Sequence, residues 1–149
     1  MKFRNIRDLL DWTRAFHEAH ALCYEKMSEG HERERVGLLL NYLADHDRVL
    51  SEALEHYEKD FTRDLQFWRP PDLDLPQDYD SLCDTLEEVD CNRVLVMAMR
   101  FHDLLIDLYQ TLADRSTSND ARELFQSIAD IENKEKLRIA RDAVRLEDI

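Results

Sequence analysis

The stretch FHDLLIDLYQTLADR (Phe101–Arg115), followed after a short polar break by ELFQSIADIENKEK (Glu123–Lys136), decides how this chain folds. Apolar residues recur through both pieces at spacings of three and four, the pattern of one face of an α-helix. The break, Ser116-Thr117-Ser118-Asn119, leads into Asp120 and Glu123, which are placed like a capping box at a helix start. Extended in both directions, the pattern predicts one helix from about Asn92 to Arg115 and another that continues to about Leu146. A turn this short makes the two helices antiparallel neighbours.

The same text occurs 85 residues earlier. Phe16-His17-Glu18 matches Phe101-His102-Asp103, and Tyr24 matches Tyr109. Leu39, Leu43-Ala44-Asp45 and Asp47 match Leu124, Ile128-Ala129-Asp130 and Glu132. Tyr24 to Ala44 and Tyr109 to Ala129 are both 20 residues, so no gap is needed across the turn. This first hairpin comprises a helix from about Ile6 to Ser28, with Gly30 at a C-terminal cap position, and a helix from about Glu32 to Lys59.

The segment between the hairpins, about 60–91, is of another kind. It holds all three prolines, Pro70, Pro71 and Pro76, with Phe67 and Trp68 beside them. The prolines forbid a continuous helix, and the aromatics suggest a connection lying on the bundle. A short helix is predicted at Ser81–Glu88. The expected architecture is a single all-α domain over residues 1–149, with hairpins at about 6–59 and 92–146 joined by a long crossover. Two short turns around one long central crossover is the ferritin-like four-helix-bundle connectivity.

Composition agrees. Two glycines and three prolines in 149 residues leave too few turn residues for a sandwich or barrel. With 33 Asp+Glu against 20 Lys+Arg the net charge is −13, so no nucleic acid and no anionic membrane is expected as a partner. No stretch approaches the 18 apolar residues of a membrane span, and the first residues show no signal-peptide core. Cys23, Cys83 and Cys91 lack any CxxC spacing, read as buried or half-buried thiols, and suit a reducing compartment; a cytoplasmic address is expected.

Helical spacing then places chemistry in the core. One face of the first helix carries Leu10, Thr13, His17, His20, Tyr24 and Met27, and the third helix carries Leu95, Ala98, His102, Leu105, Tyr109 and Leu112. The second carries Val36, Leu40, Leu43, Asp47, Leu50, Leu54 and Tyr57; the fourth carries Ala121, Phe125, Ile128, Glu132, Glu135 and Ile139. His17 lies 13 residues before Gly30 and Asp47 lies 17 after it, a mismatch of about one helical turn at ~1.5 Å per residue. His17, Asp47, His102 and Glu132 therefore project into the bundle at similar height. Buried carboxylates need a partner or a metal, so two explanations stand: metal ligation, or a mutual histidine–carboxylate network. The other histidines, His20, His31, His46 and His56, are read as surface, supporting or turn residues.

On these residues, and on the two stretches FHDLLIDLYQTLADR and ELFQSIADIENKEK, the chain resembles the ferritin-like superfamily and its rubrerythrin-like branch. The resemblance covers both hairpins. Such proteins carry a Glu with a Tyr seven residues later on one helix and Glu-x-x-His on the next, twice over, so that six ligands hold two irons. Here His17 and His102 stand in the Glu positions, while Tyr24 and Tyr109 keep theirs. Asp47 replaces one Glu and Leu50 its His; Glu132 matches the other Glu and Glu135 replaces its His. The ligand set so implied is His17, Asp47, His102, Glu132 and Glu135, with Tyr24 and Tyr109 in support. The rubredoxin-type cysteine domain of rubrerythrins is absent from the sequence.

Mixed imidazole and carboxylate ligands suit iron, manganese or zinc, with iron first by resemblance. Chemistry with O2 or peroxide is what an iron site with open positions would imply, and a homodimer is what the resemblance implies for partners. The alternative is a bundle that has lost its metal and serves as a structural or protein-interaction module. Loss of the ligand at Leu50 favours that alternative. Conversion of the other positions into new ligand types, rather than into Leu, Val or Ala, favours metal binding, which is the leading expectation.

Overall fold

The computed structural model describes residues 3–29, 34–61 and 91–147, and among them it contains four helices and no strand. These are α1 (Ile6–Glu29), α2 (Glu34–Phe61), α3 (Cys91–Arg115) and α4 (Asn119–Glu147). The expected cap at Gly30, the crossover residues and the short helix at Ser81–Glu88 lie outside the described residues.

Local chemistry sets the helix ends. Asn5 caps α1, its Oδ1 accepting from the Asp8 backbone N–H at 3.0 Å, while the Asp8 carboxylate accepts from the Arg4 N–H at 2.9 Å. At α4 the cap is Ser118, whose hydroxyl accepts from the Ala121 N–H at 3.3 Å. The expected box on Asp120 and Glu123 is thereby corrected: Asp120 sits within the first turn, where its charge complements the helix N-terminus. Arg122 fastens the turn by donating to the Ser116 carbonyl at 2.9 Å.

Side-chain contacts give the helix directions. From α1 to α2, Arg14 faces Glu55, Glu18 accepts from Ser51 and Glu25 pairs with Arg48, so partner numbers fall as α1 advances. From α3 to α4, Asp103 pairs with Lys136 and Tyr109 packs on Phe125. From α2 to α4, Tyr42 bonds Asp142 and His46 bonds Glu135. Thr13 bonds Tyr109, and Phe16 and His20 pack on Phe101, which links α1 to α3. Each of these four pairs is antiparallel.

The core is drawn from the predicted stripes. Leu10, Tyr24, Leu40, Leu43, Leu105, Tyr109, Phe125 and Ile128 are essentially inaccessible to solvent. Met27 and Leu95 are half-buried against them. At ~25 cal/mol per Å² this apolar burial is the main force joining the helices. Cys91 is a half-buried free thiol, but Cys23 is disulfide-bonded. Its reading as a thiol is corrected, and the cysteines no longer argue for a reducing compartment. Among the described residues no helix is long and apolar enough to cross a membrane.

Candidate functional site

Each helix contributes one side chain to a polar centre inside the bundle. His17 of α1 places Nδ1 at 2.6 Å from Asp47 Oδ1 of α2 and Nε2 at 2.6 Å from Glu132 Oε1 of α4. The second oxygen of Glu132 accepts from His102 Nδ1 of α3 at 2.9 Å. The result is one chain of bonds, Asp47–His17–Glu132–His102, with relative exposures of 6, 1, 1 and 4%. The helical stripes bring these four groups to one height, as their spacing predicts.

The protons follow from the geometry. An ionised carboxylate only accepts hydrogen bonds, so a ring nitrogen 2.6 Å from one must carry a proton. With both nitrogens so placed, His17 is an imidazolium donating to two carboxylates. Burial by itself would strip that proton, but the charge of Glu132 and the bonds to Asp47 and Glu132 outweigh it and hold the His17 pKa at about 10. Burial would likewise raise Glu132; the His17 charge and the bonds from His102 and His17 bring it down to about 2.

Buried aromatic and hydroxyl groups surround the chain of bonds. The Thr13 hydroxyl donates to the Leu9 carbonyl at 3.0 Å and bonds the hydroxyl of Tyr109. Burial raises the pKa of Tyr109, and burial together with the Asp47 charge raises that of Tyr24, so both phenols are neutral. His20 is buried, which corrects its reading as a surface residue. Its Nδ1 donates to the Phe16 carbonyl at 2.7 Å and its ring lies 3.7 Å, centre to centre, from that of Phe101. Burial lowers its pKa to about 4, so it is neutral. Its place on the α1 stripe, three residues after His17, was the signal for this burial.

Glu135, the remaining predicted ligand, stands apart from the centre. It accepts from His46 Nδ1 at 2.6 Å and pairs with Arg138 at 3.3 Å. Tyr42 completes this seam between α2 and α4, its ring tilted against that of His46 at 4.3 Å between centres and its hydroxyl donating to Asp142 at 2.7 Å. Leu50 is buried and apolar.

A metal ligand must offer a lone pair. His17 has both ring nitrogens engaged as donors, Leu50 has none to offer, and Glu135 is held by His46 and Arg138. One of the six positions of the two-metal pattern, Leu50, is thus closed outright and His17 is engaged at both nitrogens, so the residues present fall short of that pattern. Among the described residues no group of three or more His, Cys, Asp or Glu is arranged to hold a metal ion. Comparison of the chain with protein-family models, with curated proteins and with solved structures gives no match.

Proposed function

We propose that this chain is a ferritin-like bundle that works without a metal at its centre, as a structural or protein-interaction module. The observation that carries the reading is His17 bonded at both ring nitrogens to carboxylates of α2 and α4. Four of the positions that would hold metal in the resembling family here satisfy one another, a fifth, Glu135, pairs with His46 and Arg138, and the sixth, Leu50, offers no ligand atom. A buried ion network adds little net stability compared with apolar packing, but it penalises every arrangement that separates its members. It therefore specifies which helices meet and at what height.

The helix directions support the ferritin-like part of the reading. With α2 and α3 both antiparallel to α4, α2 ends and α3 begins at opposite ends of the bundle, as a long crossover requires. A homodimer is the partner that the resemblance implies, to be checked by sedimentation.

The second reading is a single metal ion, and one observation favours it: donors from all four helices converge around Glu132, which touches both imidazoles. Elemental analysis of protein purified without chelator separates the two, run beside a His17→Ala/His102→Ala double variant. The expected result is no stoichiometric iron, manganese or zinc in either. Stoichiometric metal in the unaltered chain that is lost in the double variant would overturn the metal-free reading.

A further inference from the structure

The outer face of hairpin 2 (α3 and α4) differs from that of hairpin 1 (α1 and α2) where the repeat makes the two equivalent. Val96, Met99, Leu137, Ala140 and Val144 correspond at the 85-residue offset to Asp11, Arg14, Glu52, Glu55 and Lys59. Where one hairpin carries five charges, the other carries five apolar side chains. The Asp103–Lys136 pair between α3 and α4 fixes where the five stand. Met99 and Val96 precede Asp103 by four and seven residues, and Ala140 and Val144 follow Lys136 by four and eight. In antiparallel helices both pairs therefore extend from that contact along one face towards the same end. Leu137, three residues before Ala140, joins the strip. Val96, Leu137 and Val144 are 62, 60 and 60% exposed. A single exposed apolar residue is ordinary, and Leu22 of hairpin 1, with Glu18, Arg48, Ser51 and Glu52 around it, is one. A cluster bounded by polar groups marks a contact surface.

The charge around the cluster is reversed as well. Residues 91–103 and 133–145, the stretches that carry it, hold seven Lys+Arg and three Asp+Glu. Their counterparts 6–18 and 48–60 hold four and seven. Arg100 follows Val96 by four residues and Arg141 follows Leu137 by four, so both exposed cations stand beside the strip. A chain of net charge −13 thus has, where α3 begins and α4 ends, an apolar strip about two turns long with cations along it.

We infer that this strip between α3 and α4 is a docking site for one amphipathic helix of another protein, apolar along its inner side and carrying Asp or Glu at its edges. The inference rests on the protein-interaction reading and names its partner. Two antiparallel helices leave a groove that accepts a third helix through residues spaced three and four apart. The cations beside the groove select carboxylates at the edges of that helix. A second copy of the chain fits less well: a two-fold contact would set one cationic rim against the other, and a head-to-tail contact would not close. An anionic lipid surface would meet the negative charge of the rest of the chain.

The test is fluorescence anisotropy with two labelled synthetic helices of about 18 residues. One has leucines at spacings of three and four flanked by glutamates, and its twin has lysines in place of the glutamates. The glutamate helix should bind the unaltered chain about tenfold more tightly than its twin, and added NaCl should shrink the difference. That comparison depends on no variant. Val96→Asp/Leu137→Glu installs the residue types that hairpin 1 carries at these positions and should weaken binding about tenfold. Arg100→Gln/Arg141→Gln should remove the preference for glutamate, and Leu22→Glu should change nothing. No binding at millimolar peptide, equal binding of the twins, or full binding by a folded Val96→Asp/Leu137→Glu overturns the docking site. The metal-free reading then still stands, since elemental analysis decides it. A dimer in sedimentation that Val96→Asp/Leu137→Glu dissociates makes the occupant a second copy and overturns the partner helix. So does binding to phosphatidylserine vesicles that the same variant abolishes.

Discussion

The two hairpins carry the same pattern 85 residues apart, yet they do not contribute equally to the centre. Glu132 on α4 bonds both histidines, whereas its counterpart Asp47 on α2, shorter by one methylene, bonds His17 alone. Hairpin 1 buries a second histidine, His20, where hairpin 2 has Leu105. Thr13 receives the Tyr109 hydroxyl, whereas the matching residue of hairpin 2 is Ala98. A repeat in sequence thus fixes the height at which groups meet, while side-chain length and hydroxyl content decide which of them bond.

The largest test of this asymmetry is to remove the two acids separately. Glu132→Ala leaves His17 with one partner and His102 with none from that carboxylate, and should cost ~3–5 kcal/mol, the scale for breaking a buried charged pair. Asp47→Ala removes a single bond to a charged group and should cost ~1.5–3 kcal/mol. Urea unfolding measures both, and equal losses would break the comparison.

The pH dependence is next in size. His20 has its folded pKa lowered to about 4 from 6.5, so its contribution is present above pH 6.5 and is lost as pH falls towards 4. His20→Leu, which copies Leu105, should abolish that loss, on the order of 2–3 kcal/mol. His17 has its folded pKa raised to about 10, so its stabilisation is complete below pH 6.5 and disappears as pH rises through about 10. Glu132, lowered from 4.5 to about 2, gives stability that is complete above pH 4.5 and is lost as pH falls through about 2. Melting temperature against pH should therefore fall on both sides for the unaltered chain, with the acid fall starting later in His20→Leu.

The smallest effect is expected at the hydroxyl pair. Thr13→Ala, which copies Ala98, removes the partner of the buried Tyr109 hydroxyl and should cost ~1–2 kcal/mol in urea unfolding. Tyr109→Phe in that background should recover part of the loss, because both polar groups are then gone.

Much of this architecture is legible in the amino-acid sequence. Four stripes at helical spacing name the buried residues of all four helices, from Leu10 and Tyr24 through Leu43 and Tyr109 to Ile128, because burial of one apolar face is what makes such helices pack. Antiparallel turns with near-equal arms place His17, Asp47, His102 and Glu132 together. Helical spacing also put Glu135 on the α4 stripe, but a stripe is wide and does not give the angle at which a long side chain leaves it. Glu135 turns to the α2/α4 seam because His46 and Arg138 are there to receive it.

Two further features lay beyond sequence spacing. That Cys23 is disulfide-bonded follows from no local pattern around it. Helical spacing signals that His20 is buried, but its contact with Phe101 depends on how α1 and α3 pack.

What the sequence determines by itself is the periodicity, the repeat and the height of the polar groups, since these follow from 3.6 residues per turn and the lengths of the turns. Only the tertiary structure decides who holds the protons. His17 is a cation because its ring spans the distance between carboxylates on two other helices, and that distance is set by helix packing.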